Sequence, residues 1–174
     1  EDFNPYTYRN FFNGGGVALG DINNDGLIDI YLTGNIVDNA LYLNRGNWKF
    51  ENIAESAGVL CKDNWSTGAT FVDINNDGYL DLYVAKSGKP GGKNRHNELF
   101  INQGDLTFIE SSKEYGLDIE GLSVHASFFD YDGDLDLDAY VLNNSIRSVG
   151  KYDLIEGQRN IPSEDGNKLL ENID

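Results

Sequence analysis

Short apolar runs alternate with clusters of Asn, Asp and Gly along the whole chain, and no stretch holds a helical period. Val17–Ile22 and Ile28–Leu32 are rich in β-branched and aromatic residues and flank an Asn/Asp/Gly turn, which predicts two antiparallel strands. Asn39–Asn44 and Trp48–Ile53 predict a third and a fourth strand, joined by the turn Asn44-Arg45-Gly46-Asn47. A single helical turn is expected around Ile53–Ala57.

This unit repeats. Gly16-Val17-Ala18-Leu19-Gly20-Asp21-Ile22-Asn23-Asn24-Asp25-Gly26-Leu27-Ile28-Asp29-Ile30-Tyr31-Leu32 returns as Ala69–Val84 and, more divergent, as Ser127–Val141, with the leading aspartates 52 and then 57 residues apart. An Asn-x-Leu signature follows each copy, at Asn39–Asn44, Asn97–Asn102 and Asn167–Asn172. A third signature occurs twice, as Gly46-Asn47-Trp48-Lys49-Phe50 and Gly104-Asp105-Leu106-Thr107-Phe108. Four strands per unit of about 50 residues is the arithmetic of a propeller blade. The expected fold is therefore all-β, a β-propeller arc of about three four-stranded antiparallel blades. Its predicted parts are a lead-in segment at 1–14, blade 1 at 15–65, blade 2 at 66–121, and an incomplete blade 3 at 122–174 carrying an insert at 145–166. Because even small propellers need about four blades, the arc is expected to belong to a larger propeller or to need a covering subunit.

Composition narrows the partners. Lys and Arg number 13 against 29 Asp and Glu in 174 residues, a net charge of −16. Such a surface disfavours nucleic acid, whose phosphates need a basic face. No run approaches the roughly 18 apolar residues that cross a bilayer, so direct membrane insertion is not expected. The single Cys61 excludes an internal disulfide and reads as a small buried or half-buried residue. With no methionine and Glu1 at its start, the chain reads as a processed product or excised piece, any signal or lipid anchor lying outside it.

The acidity is concentrated in the hairpin loops. The spacing Asp-x-Asn-x-Asp-Gly-x-x-Asp offers oxygen donors at positions 1, 3, 5 and 9, with the carbonyl of position 7 between them. Calcium takes six to eight such oxygens at about 2.3–2.6 Å. The first loop supplies Asp21, Asn23, Asp25, the Leu27 carbonyl and Asp29; the second supplies Asp73, Asn75, Asp77, the Tyr79 carbonyl and Asp81. The third supplies Asp130, Asp132, Asp134, Asp136 and Asp138, but carries Leu135 at the glycine position, the glycine having moved to Gly133. Two to three Ca2+ ions are expected. An EF-hand is excluded, because position 12 is Leu32, Val84 or Val141 instead of glutamate and the flanks are strands. Zinc has only Cys61, His96 and His125 to draw on.

These loops, with Tyr8–Gly16, Asp38–Tyr42, Trp65–Gly68 and Phe128–Asp132 around them, resemble the FG-GAP/VCBS repeat of integrin-α-type propellers. The fuller pattern is similar to VCBS-repeat surface proteins of Bacteroidetes, of the cartilage acidic protein and ASPIC/UnbV type. The resemblance implies calcium-stabilised blades, an extracellular or outer-membrane location, and protein or glycan partners at the cell surface. No Ser/His/Asp or Cys/His constellation stands out, and the evident carboxylates are assigned to the loops, so a non-enzymatic module is expected. The alternatives are a structural subunit of a bacterial outer-membrane complex, with the 145–166 insert as its contact, and part of a polysaccharide-acting enzyme.

Overall fold

A computed structural model of the chain describes residues 12, 14–35, 37–62, 64–88, 93–144 and 166–172. Three antiparallel sheets follow one another along the sequence. The first holds β1 (Val17–Gly20), β2 (Asp29–Leu32), β3 (Ala40–Asn44) and β4 (Phe50–Asn52) in that spatial order. The second repeats it with β5 (Ser66–Val72), β6 (Asp81–Lys86), β7 (Glu98–Asn102) and β8 (Phe108–Glu110). The third is three-stranded, from β9 (Ser123–Phe129) through β10 (Asp138–Asn143) to β11 (Lys168–Leu170). The one helical turn, α1 (Ala54–Ala57), closes on Gly58 in the left-handed region. This is the arc of blades that the repeat predicts. The lead-in up to residue 11 and residues 145–165 of the insert lie outside the described residues.

Two strands are shorter than their apolar patterns suggest. β1 stops at Gly20 because Asp21 already turns into the acidic loop. β4 begins only at Phe50, since Asn47 and Trp48 take left-handed φ of 51° and 59° and no ladder continues through them.

The first strands gather along one edge. β1 lies beside β5 and β5 beside β9. The Thr33 hydroxyl donates to the Thr67 carbonyl at 3.2 Å, and the Thr67 hydroxyl to the Ser123 carbonyl at 2.8 Å. Glycine makes this approach possible: a Cβ on Gly68 would fall 2.2 Å from the Val124 carbonyl oxygen. The fourth strands consequently lie on the outside.

Burial follows from the stacking. Every residue of β6 is buried, because the middle blade is covered on both faces. The outer blades keep the alternation of a half-covered sheet, and Val17, Leu19 and Leu32 on β1 and β2 remain exposed. Between the first two blades Tyr31, Leu41 and Leu43 meet Leu82, Val84 and Phe100. Between the second and third, Tyr83 and Leu99 meet Ala126, Ala139 and Val141, with the Tyr83 and Phe128 rings edge to face at 5.4 Å.

Candidate metal centre

Each acidic loop turns twice through the left-handed region. The residues are Asn24 (φ 60°) and Gly26 (83°) in the first, and Asn76 (57°) and Gly78 (88°) in the second. In the third they are Gly133 (85°) and Leu135 (80°). The displaced glycine therefore leaves the backbone course intact and exchanges the residues that adopt it. Leu135 takes a conformation that glycine enters without steric cost, and its side chain points into solvent at 93% exposure.

Backbone donors close the loops around their carboxylates. Asp21 accepts from the N–H groups of Asp25 (3.1 Å) and Gly26 (2.7 Å), and Asp73 from Asp77 (3.0 Å) and Gly78 (2.9 Å). Asn23 and Asn75 accept from Asp25 and Asp77, which in turn accept from the Leu27 and Tyr79 N–H groups at 2.8 Å. In the third loop Asp130 accepts from Gly133 and Leu135, and Asp134 from Asp136. Adjacent loops also touch, because the Asn24 amide donates to the Gly78 carbonyl at 3.0 Å.

The ninth position does more than its spacing suggests. Asp29 is fully buried; its Oδ2 accepts from Ile22 N–H (3.0 Å) and its Oδ1 from Asn44 N–H (2.7 Å), at the end of β3. Asp81 does the same with Ile74 and Asn102, and Asp138 with Tyr131 and Asn172. Burial pushes the Asp29 and Asp81 carboxyls above the ordinary carboxylate range, opposed by these same backbone bonds. An ionised carboxylate has about four lone-pair sites. Two accepted N–H bonds thus leave room for a cation.

The donor chemistry of all three loops suits a hard cation: carboxylate, amide and carbonyl oxygens with no sulfur or imidazole. Oxygens bound to one calcium at 2.3–2.6 Å lie no more than about 5 Å apart. Asp130, Asp132 and Asp138 each offer an oxygen within 4.8 Å of the others, which meets that limit. Among the described residues this is the only such trio of acidic groups. The first two loops place asparagine at the third position instead, so their corresponding donors are two carboxylates and an amide oxygen. Crowding is felt in the third loop, where desolvation and then the neighbouring Asp134 raise the Asp132 carboxyl.

A second repeated arrangement links the blades. Asn39 Oδ1 accepts the Gly34 N–H at 2.7 Å, while its amide donates to the Tyr31 hydroxyl (2.7 Å) and to Ser66 Oγ of the next blade (3.0 Å). Asn97 repeats this with Lys86, Tyr83 and Ser123. Asn167 repeats it with Asn143 and Tyr140. The Asn-x-Leu signature marks this residue in the sequence, but its role lies in contacts 5 to 27 residues away.

One buried ion pair has no counterpart in the other repeats. Lys86 Nζ, fully buried, lies 2.5 Å from Glu98 Oε1, a contact whose angles fall short of a hydrogen bond. Cys61 sits beside the pair; burial and then Glu98 push its thiol up to about 12. No motif announces the pair, since Gly34 and Ala40 stand at these positions in blade 1.

Stacked antiparallel sheets, each opening on an Asp-rich hairpin loop, define an arc of β-propeller blades. Residues 21–84, which contain the first two loops, match the FG-GAP-like repeat family. The chain is also similar to cartilage acidic protein 1 of Mus musculus, 28% identical over 164 residues that cover 92% of this chain and 24% of the relative. The Homo sapiens protein of the same name is 28% identical over 161 residues, covering 92% of this chain and 23% of its own length. The chain thus spans about a quarter of the length of the curated relatives it matches. No helix among the described residues is long and apolar enough to cross a membrane.

Proposed function

We propose that this chain is a non-enzymatic binding module of the cell exterior, an arc of calcium-rigidified propeller blades presenting surfaces to a protein or glycan. The observation that carries the reading is the recurrence of one loop design in all three blades. Each loop gathers oxygen donors, folds backbone N–H groups onto them, and ties its ninth-position aspartate to the end of the third strand. Calcium in such a loop supplies the positive charge that lets clustered carboxylates coexist, and so fixes the hairpin to the blade. Asp21, Asn23, Asp25, the Leu27 carbonyl and Asp29 would hold the first ion, their counterparts at 73–81 the second, and Asp130–Asp138 a third. Extracellular modules bind calcium at about 10⁻⁴–10⁻³ M, a range matched to the millimolar calcium outside cells. Similarity to FG-GAP-like repeats and to cartilage acidic protein 1 supports the exterior location and the non-enzymatic role.

The test is a thermal melt of the chain with calcium titrated against EGTA and magnesium as control. Calcium-specific stabilisation that is reduced in Asp21→Ala and in Asp73→Ala supports the reading. A melt indifferent to calcium sinks it.

A further inference from the structure

The first two acidic loops are joined twice, once inside the fold and once at its surface. The inner link runs through Asn102, the last residue of β7. Its backbone N–H donates to Asp81 Oδ1 at 2.8 Å, so it stands on the ninth-position carboxylate of the second loop. Its side-chain amide has two hydrogens. One goes to the Leu80 carbonyl at 3.1 Å, as the Asn44 amide goes to the Ile28 carbonyl in blade 1. The other crosses to the Ile22 carbonyl of the first loop at 2.8 Å, and Asp29 holds the Ile22 N–H at 3.0 Å. Asp29, Ile22, Asn102 and Asp81 are each no more than 3% exposed, so little water competes along this route.

The outer link is the bond from the Asn24 amide to the Gly78 carbonyl at 3.0 Å. That carbonyl shares a peptide unit with the Tyr79 N–H, which donates to Asp77 at 2.8 Å. Asn24 lies between Asn23 and Asp25 in the chain and supplies the first left-handed turn of its loop, so a shift of either neighbour moves its amide. Among the described residues Asn76, at the same place in the second loop, makes no such bond to the third.

We infer that the first two loops take up calcium as a coupled pair, each raising the affinity of the other, with Asn102 and Asn24 as the positioning residues that couple them. This pairing rests on the calcium reading above and adds the relation between its first two sites. A loop that is fixed on its carboxylates holds still the Ile22 carbonyl, or the Gly78 carbonyl, that the other loop must meet. Ordering done at one site therefore need not be repeated at the next. Charge by itself acts in the opposite direction. A cation in the first loop neutralises carboxylates whose field draws a cation to the second, and so weakens the second binding. The sign of the coupling thus separates the hydrogen-bonded links from simple electrostatics.

The test is a calcium titration of the whole isotope-labelled 174-residue chain, read by nuclear magnetic resonance at the Gly26, Gly78 and Gly133 amides. These N–H groups donate to Asp21, Asp73 and Asp130, so each reports one loop. Asp21→Ala disables the first loop and is expected to raise the calcium midpoint at Gly78 about fivefold or more. Asp73→Ala raises the midpoint at Gly26 by a similar factor, because coupling is reciprocal. The Gly133 midpoint stays where it was in both variants. The factor persists in high salt, which screens exposed charges. Asn24→Gly keeps the left-handed turn and removes the surface link, and Asn102→Ala removes the inner one. With both changes the loops still bind calcium, but Asp21→Ala no longer moves the Gly78 midpoint; Asn24→Gly alone, at an exposed site, already reduces the factor. A Gly78 midpoint that Asp21→Ala leaves unchanged or lowers overturns the coupling while the calcium reading stands. So does a factor that survives in full without the two amides. Amide signals that ignore calcium in all three loops overturn both.

Discussion

Asp29 Oδ1 accepts the Asn44 backbone N–H at 2.7 Å, and this bond ties the acidic loop to the far end of the third strand of the same blade. Its other oxygen holds Ile22 at the start of the loop. Asp29→Ala leaves two backbone donors without their acceptor in a buried place, at about 1–3 kcal/mol for each group. Urea denaturation in EGTA is expected to show a loss of about 2–4 kcal/mol. The exposed Asp25→Ala is expected to cost clearly less under the same conditions. Equal losses would deny Asp29 its structural role.

Calcium and pH should act together through the same residue. The native Asp29 and Asp81 carboxyls are raised by burial, so from about pH 4 upward to their raised values the native state binds more protons than the unfolded one. These two groups therefore make the calcium-free protein less stable as pH rises through that window. Bound calcium favours the ionised form and reverses the sign, so the stabilisation it gives is lost as pH falls. Melts between pH 4 and 6, with calcium and with EGTA, should diverge as pH increases; parallel curves would contradict this.

Leu135 is the one residue at the sixth loop position that is not glycine, and it still adopts φ 80°. Leu135→Gly relieves a left-handed backbone at an exposed site and should stabilise the protein by about 1 kcal/mol. Gly26→Ala should destabilise by a similar amount. Both are read as shifts in the denaturation midpoint without calcium.

The Lys86–Glu98 pair is a strong point only while both partners are present. Glu98→Gln strands a fully buried ammonium and should cost about 3–5 kcal/mol. The double variant Lys86→Met, Glu98→Leu is expected to recover most of it. A double variant as unstable as the single one would show that the pair contributes beyond mutual neutralisation.

Cys61 should resist alkylation. With its thiol pushed up to about 12, its thiolate fraction at pH 8 is about a thousandfold below that of an unperturbed cysteine. Iodoacetamide labelling of the native chain is expected to be slower by roughly that factor and to become ordinary in urea.

Much of the blade was legible locally. The strands, the turn at Asn44–Asn47 and the double left-handed turn of each loop are set by residues within about six positions of one another. Asx chemistry, glycine freedom and β-branched runs act over that range. The third loop was legible only in part. The misplaced glycine is visible in the sequence, whereas the approach of Asp130, Asp132 and Asp138 within 4.8 Å of one another is a matter of how the folded loop aims their side chains.

By itself the sequence determined the repeat, the all-β class, the position of every acidic loop and the oxygen chemistry of its donors. Only the tertiary structure decided that the ninth-position aspartates are buried clamps, that Asn39 and Asn97 latch one blade to the next, and that Lys86 is neutralised inside a junction. The reason is physical. Backbone turns are governed by near neighbours, but burial is created where distant segments meet, as when Asn102 donates to the Ile22 carbonyl 80 residues away. What a carboxylate or an ammonium does is fixed by that burial.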